Sequence, residues 1–136
     1  MIGLDSNVLV RYLAKDDLGQ LRQAEHLIDG HLKRGEDLFV SIVTLVETLW
    51  TLRSRYHVPQ DALCDIVDAL AGTVGIRLAD ADCVTHAASL ARTTGCDFPD
   101  ALIAELGRRA GCSHTATFDS AAARKLDAMR SVIDSQ

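Results

Sequence analysis

Leu38-Phe39-Val40-Ser41-Ile42-Val43-Thr44-Leu45-Val46-Glu47-Thr48-Leu49-Trp50 decides the fold class. Its first three residues are an apolar run too short for a helix, which suits a buried strand. Ser41 then offers a capping hydroxyl. From Ile42 to about Arg55 the apolar residues Ile42, Leu45, Val46, Leu49, Trp50 and Leu52 recur at helical spacing. The stretch therefore reads as a strand running directly into a helix with one apolar stripe. Glu47 falls on the rim of that stripe, between Val43 and Trp50.

Outward from this unit the pattern recurs on both sides. Residues 2–4 are a short apolar run ending at Asp5-Ser6-Asn7, a natural cap for a helix over 8–13. Asp16 and Asp17 punctuate the chain before a helical pattern over 18–34, with Gly35 as its stop. Pro59 suits the first turn of a helix whose inward residues are Leu63, Ile66, Val67 and Leu70. Ile76–Leu78 is a further strand, and Asp80 or Asp82 caps a helix running to about Thr94. Pro99 starts another helix that ends by Gly111. Residues 114–118 are strand-like, Asp119-Ser120 caps a short helix, and 131–133 reads as a last edge strand. No internal repeat is visible.

Short strands alternating with helices predict an α/β fold: one domain over 1–136 with a mainly parallel central sheet of about four to five short strands flanked by helices. Composition agrees. The 136 residues are 48% hydrophobic and 24% charged, with two prolines and nine glycines, which excludes a disordered or low-complexity chain. Aromatic residues make up 4%, too few for base stacking to be the main mode of nucleic-acid binding. Fourteen basic against nineteen acidic side chains give a net charge of −5, so a phosphate-directed activity needs local cations. The apolar runs are too short for a membrane span. The N-terminus has no secretory pattern, and Cys64, Cys83, Cys96 and Cys112 include no C-x-x-C pair. The expectation is reduced thiols in a cytoplasmic protein without a zinc site.

In a parallel sheet the ligand crevice lies beyond the carboxyl ends of the strands. Asp5 ends the first strand and Asp119 follows the strand over 114–118, so both are expected to face one crevice. Taken singly, Asp5 and Asp119 also read as helix caps, and Asp97 with Asp100 as acids that favour a helix dipole. Glu47 on its rim reads equally as a solvated side chain. Jointly they read differently. Carboxylates drawn from separate segments to one end of a sheet repel one another, and stability alone gives no reason to gather them. A hard divalent cation, Mg²⁺ or Mn²⁺, removes the objection and points to phosphoryl-group hydrolysis.

At these residues a resemblance emerges. Asp5-Ser6-Asn7-Val8-Leu9-Val10-Arg11-Tyr12-Leu13 resembles the opening motif of PIN-domain ribonucleases. Ser41-Ile42-Val43-Thr44-Leu45-Val46-Glu47 resembles that family's second acidic motif, Asp97-Phe98-Pro99-Asp100-Ala101-Leu102-Ile103-Ala104 its third and Thr115-Ala116-Thr117-Phe118-Asp119 its fourth. Order, spacing and length are most similar to VapC-type toxins of toxin–antitoxin pairs. The resemblance implies a metal-dependent endoribonuclease with Asp5 and Asp100 as leading metal ligands and Glu47 and Asp119 completing the acidic set. It implies that Asn7 and Thr117 orient the carboxylates. Asp97 stands as an auxiliary acid or only a cap, and both readings stay open. Arg11, one turn after Asn7, is expected to meet a substrate phosphate. Pro99 departs from the family, where a small residue is common, but proline suits a first helical turn. The cofactor implied is Mg²⁺ or Mn²⁺, and the partners are RNA, a small antitoxin protein and a second copy in a homodimer.

Arg53, Arg55, Arg108, Arg109, Arg124 and Lys125 could form a basic rim or simply be solvated, and the five histidines read as structural. Leu21 to Leu32 and Ile42 to Leu52 supply apolar helix faces that pack a core or border a partner's groove. Two rival functions stand beside the ribonuclease. A Mg²⁺-dependent phosphatase or phosphotransfer domain is disfavoured by Asn7, where a second Asp is usual. A catalytically inactive PIN-like interaction module is disfavoured by the presence of all four acids.

Overall fold

The computed structural model describes residues 1–133. Four of the helices in it begin at a polar residue whose side-chain oxygen takes up an otherwise orphaned helix N–H, and for the three that follow a strand this gives the strand an abrupt exit. The chain folds as two compact units, Met1–Ala81 and a second from Asp82 onward.

In the first unit the order is β1 (Ile2–Gly3), α1 (Ser6–Ala14), α2 (Leu18–Lys33), β2 (Leu38–Val40), α3 (Ile42–Tyr56), α4 (Gln60–Gly72) and β3 (Ile76–Leu78). The strands form one parallel sheet in the order β1-β2-β3, with Ile2 opposite Leu38 and Leu38 opposite Ile76. Leu38 and Val40 are wholly buried, as expected of a central parallel strand covered on both faces. Helix α1 packs on α2 and α3, and α4 packs on α3 and β3. Gly75 makes the turn into β3 at φ +91°, and a Cβ there would stand 2.5 Å from the Leu32 side chain.

The second unit takes in all but the first residue of α5 (Ala81–Thr94), followed by α6 (Phe98–Arg109), β4 (Thr115–Thr117), α7 (Ser120–Lys125) and β5 (Met129–Ser131). β4 and β5 pair in parallel, Thr115 opposite Met129 and Thr117 opposite Ser131. Phe98, Val84, Leu102, Leu126 and Met129 are buried. Gly107 brings α6 close to β4, since a Cβ there would lie 2.7 Å from Thr115 Oγ1.

The α/β class, the five strands and their parallel sense match the sequence expectation, with pairing in two small sheets. Four details differ. The last strand is Met129–Ser131, two residues ahead of the expected 131–133, because Thr115 N–H bonds Ala128 O and fixes the register there. Pro59 stands at the N-cap of α4 rather than in its first turn. Asp80 has a left-handed φ of 47°, outside the extended region a capping residue takes, and Asp82 lies inside the first turn of α5. On α3 the buried face is Thr44, Leu45, Thr48, Leu49 and Leu52, while Trp50 is 66% exposed. Threonine can face inward there because both hydroxyls find backbone carbonyls: Thr44 donates to Leu4 O at 3.1 Å and Thr48 to Thr44 O at 2.7 Å.

No disulfide joins the four cysteines. Among the described residues no helix is long and apolar enough to cross a membrane. The last three positions of the expected 1–136 domain lie outside the described residues.

Candidate functional site

Asp5 follows β1 and caps α1, its Oδ1 accepting the Ser6 N–H at 2.7 Å. Ser6 Oγ donates to Glu47 Oε2 at 2.9 Å, so Ser6 links the two carboxylates, its N–H to Asp5 and its hydroxyl to Glu47. The meeting is built from below. Ser41 caps α3 by accepting the Thr44 N–H, and Thr44 Oγ1 bonds the carbonyl of Leu4, the residue before Asp5. That clamp sets the start of α3 against the end of β1, and Glu47 follows one turn later. Glu47 is exposed, with exposed Val43 and Trp50 at helical spacing on either side.

Among the described residues no hydrogen bond joins Asn7 to Asp5 or Glu47. Asn7 instead lines a pocket of about 500 Å³ between α1 and α2, together with Val8, Arg11, Gln20, Ala24 and Leu27. Arg11 Nε donates to Gln20 Oε1, and its Nη1 donates to Tyr56 OH at 3.1 Å and Asp16 Oδ1 at 3.4 Å. Tyr56 in turn donates to Asp16. This bond, helped by the Arg11 charge, holds the Asp16 carboxyl below the usual range, and the same bond raises the Tyr56 phenol against the opposing pull of Arg11.

The second unit gathers Asp97, Asp100 and Asp119. Asp97 occupies the N-cap of α6, but its side chain makes no capping bond. Pro99 sits in the first turn without disturbing the helix, and Asp100 follows it. Asp119 caps α7, its Oδ1 accepting the Ala121 and Ala122 N–H groups at 3.0 Å each. Thr117 Oγ1 accepts the Asp119 N–H at 3.0 Å and so fixes the corner that carries this acid. All three acids line one pocket of about 80 Å³ with Gly95, Cys96 and Lys125, whose ammonium donates to Gly95 O at 3.3 Å. Burial raises the Asp100 pKa, and the charges of Asp97 and Asp119 raise it further. A helix N-terminus by itself would lower it, so burial and crowding outweigh the dipole.

A different carboxylate on α6 escaped the sequence reading. Glu105 is only 2% exposed, receives Arg108 Nη2 at 2.6 Å and Arg109 Nε at 2.8 Å, and lies 3.7 Å from His86 Nε2. Arg108 foremost, then Arg109, holds its pKa down at about 2 against the opposing effect of burial. The i,i+3 and i,i+4 spacing of Glu105 to its arginines was the available signal. Both arginines, candidates for a basic rim by sequence, are thus engaged. Ser6 had no sequence signal of its own beyond its place between Asp5 and Asn7.

Carboxylate oxygens and water are the donors that hard divalent cations take, and Mg²⁺ usually keeps several waters beside one or two carboxylates. Among the described residues no three His, Cys, Asp or Glu side chains form a group that could hold a metal ion directly. Asp97, Asp100 and Asp119 around one pocket offer oxygen donors of the chemical kind such a cation takes.

The chain belongs to the PIN-domain family, whose model matches residues 2–127. Members of that family are in general metal-dependent nucleases. Searches of curated proteins and of solved structures each returned no match.

Proposed function

We propose that this protein is a Mg²⁺- or Mn²⁺-dependent endoribonuclease acting as the toxin of a toxin–antitoxin pair. The observation that carries the nuclease reading is the crowding of Asp97, Asp100 and Asp119 around one pocket. Such an arrangement costs stability unless a cation is bound. The toxin assignment and RNA as substrate rest on the VapC-like order and spacing of the four motifs.

Asp5 and Glu47 in the first unit and Asp100 and Asp119 in the second carry the family's acidic roles, with Asp5 and Asp100 as leading ligands. A bound divalent cation lowers the pKa of water and offsets charge on the phosphate. The chain's own groups prepare for that. Ser6 links Asp5 to Glu47, through its N–H to the first and its hydroxyl to the second. The capping bonds of Asp119 fix its Oδ1. Thr117 orients Asp119 through its backbone, while Asn7 is retained as an orienting group on family resemblance alone. Arg11, held by Asp16, Tyr56 and Gln20, presents a fixed guanidinium to a phosphate. Asp97, lining the pocket with Asp100 and Asp119, serves as the auxiliary acid. A cytoplasmic location, a neutralising antitoxin and a homodimer complete the proposal on the same resemblance.

The test is cleavage of RNA by the purified protein with Mg²⁺ or Mn²⁺. A chelator should stop it, and Asp5→Asn and Asp100→Asn should each lower the rate at least about 100-fold. Undiminished cleavage in chelator would overturn metal dependence. No cleavage of any RNA at saturating metal would favour the inactive interaction module.

A further inference from the structure

Phe118 is 91% exposed, between Thr117 and the pocket-lining Asp119. Three of the six aromatic side chains are phenylalanines, and Phe98 is wholly buried. Leaving a phenyl ring in water forgoes the gain of burying it. Nor is the ring exposed because its segment is loose. Thr117 O accepts the Val132 N–H at 3.0 Å, Thr117 Oγ1 accepts the Asp119 N–H, and Asp119 Oδ1 accepts two N–H groups of α7. The backbone is pinned on both sides of Phe118, so the ring is held outward on a rigid corner. A rigid exposed aromatic loses little conformational entropy on binding a flat partner.

Resting on the ribonuclease reading above, we propose that Phe118 is a substrate-binding residue that stacks on an unpaired base next to the scissile phosphate. Single-stranded RNA offers splayed bases to aromatic rings, and stacking tolerates every base because each has a π-face. One such ring is consistent with the low aromatic content of the chain, since the stack positions a single nucleotide and is not the main source of affinity. A stack beside Asp119 would fix the neighbouring phosphate near the carboxylates. Lys125, lining the same pocket, supplies a positive charge there.

The experiment measures binding of a single-stranded RNA carrying 2-aminopurine at successive positions, in the Asp100→Asn background to suppress cleavage. With Phe118 present, fluorescence at one position should be quenched. Adding Phe118→Ala should abolish that quench and weaken binding about 5- to 100-fold, whereas Phe118→Trp should preserve both. In otherwise wild-type protein, Phe118→Ala should raise KM for that RNA more than it lowers kcat. An abasic nucleotide at the quenched position should remove the affinity difference between proteins with and without the Phe118→Ala substitution. Equal affinity and quench in the Phe118→Ala protein overturns the proposal alone. So does a change in oligomeric mass with RNA affinity unchanged, which would assign the ring to a protein contact. If the ring-bearing protein binds no RNA, the proposal falls together with the ribonuclease reading beneath it.

Discussion

Asp100 and Glu105 ride on the same helix, the first half-buried and the second fully buried, and their electrostatic surroundings are opposite. Glu105 is enclosed by Arg108, Arg109 and His86, and its pKa falls to about 2. Asp100 has Asp97 and Asp119 for neighbours, and its pKa rises. The first arrangement explains itself as structure: a buried charge is tolerable when it is paired and hydrogen-bonded. The second does not, because setting a half-buried carboxyl beside two exposed ones costs free energy, offset only in part by the Lys125 ammonium lining the same pocket. Burial alone thus does not distinguish the two acids; the sign of their neighbours does.

The contrast is broken most forcefully by activity. Asp100→Asn should reduce RNA cleavage at least about 100-fold, while Glu105→Gln, assayed well below its melting temperature, should stay within a few-fold of wild type. Similar losses in both variants would mean that Asp100 acts through the fold, as Glu105 does.

Stability should respond in the opposite order. Glu105→Gln removes the buried charge and turns one of its two acceptor oxygens into a donor facing the arginines, and should cost about 2 kcal/mol at neutral pH, less than a fully buried pair because the arginines are partly solvated. Since the folded pKa of Glu105 is depressed, its contribution is full above the unfolded value of about 4.3. It is lost as pH falls through the folded pKa of about 2. Urea unfolding between pH 5 and pH 2 should therefore show wild type losing its advantage over Glu105→Gln. A constant difference across that range would contradict the ion-pair account.

The smallest effect belongs to Asp100→Asn without metal. A raised carboxyl pKa means a penalty that is full above the folded pKa and fades as pH falls through it. Neutralising Asp100 should stabilise the apo protein at neutral pH by on the order of 1 kcal/mol, and the gain should shrink in acid. A destabilised variant would place Asp100 among the capping acids.

The sequence made the element order and the acids legible for a shared reason. Polar caps at Asp5, Asp17, Ser41 and Asp119 mark where strands or loops give way to helices, and those bonds are local. What depended on distant partners was not legible. Periodicity alone turned Trp50 inward because nothing local announces that the Thr44 hydroxyl finds the distant Leu4 carbonyl. The start of β5 depended on a backbone bond from Thr115 to Ala128. Asp97 read equally as a cap or a further acid; it stands at the N-cap of α6 without a capping side-chain bond, whereas Asp119 accepts two. For Arg11, Asp16 lay close in sequence, but Tyr56 reached it from a different helix. The bridge from Ser6 to Glu47 needed the clamp between Thr44 and Leu4, which no spacing rule encodes.

The central claim is that the crowded acids wait for a divalent cation, and melting wild type and Asp100→Asn with chelator and with Mg²⁺ tests it most directly. Wild type should gain about 2.7 kcal/mol when free Mg²⁺ reaches about 100 times its dissociation constant, provided the unfolded chain does not bind. Asp100→Asn should start more stable in chelator and gain much less from the metal. Equal metal-induced shifts in the two proteins, or none in wild type at any Mg²⁺ or Mn²⁺ concentration, would contradict it.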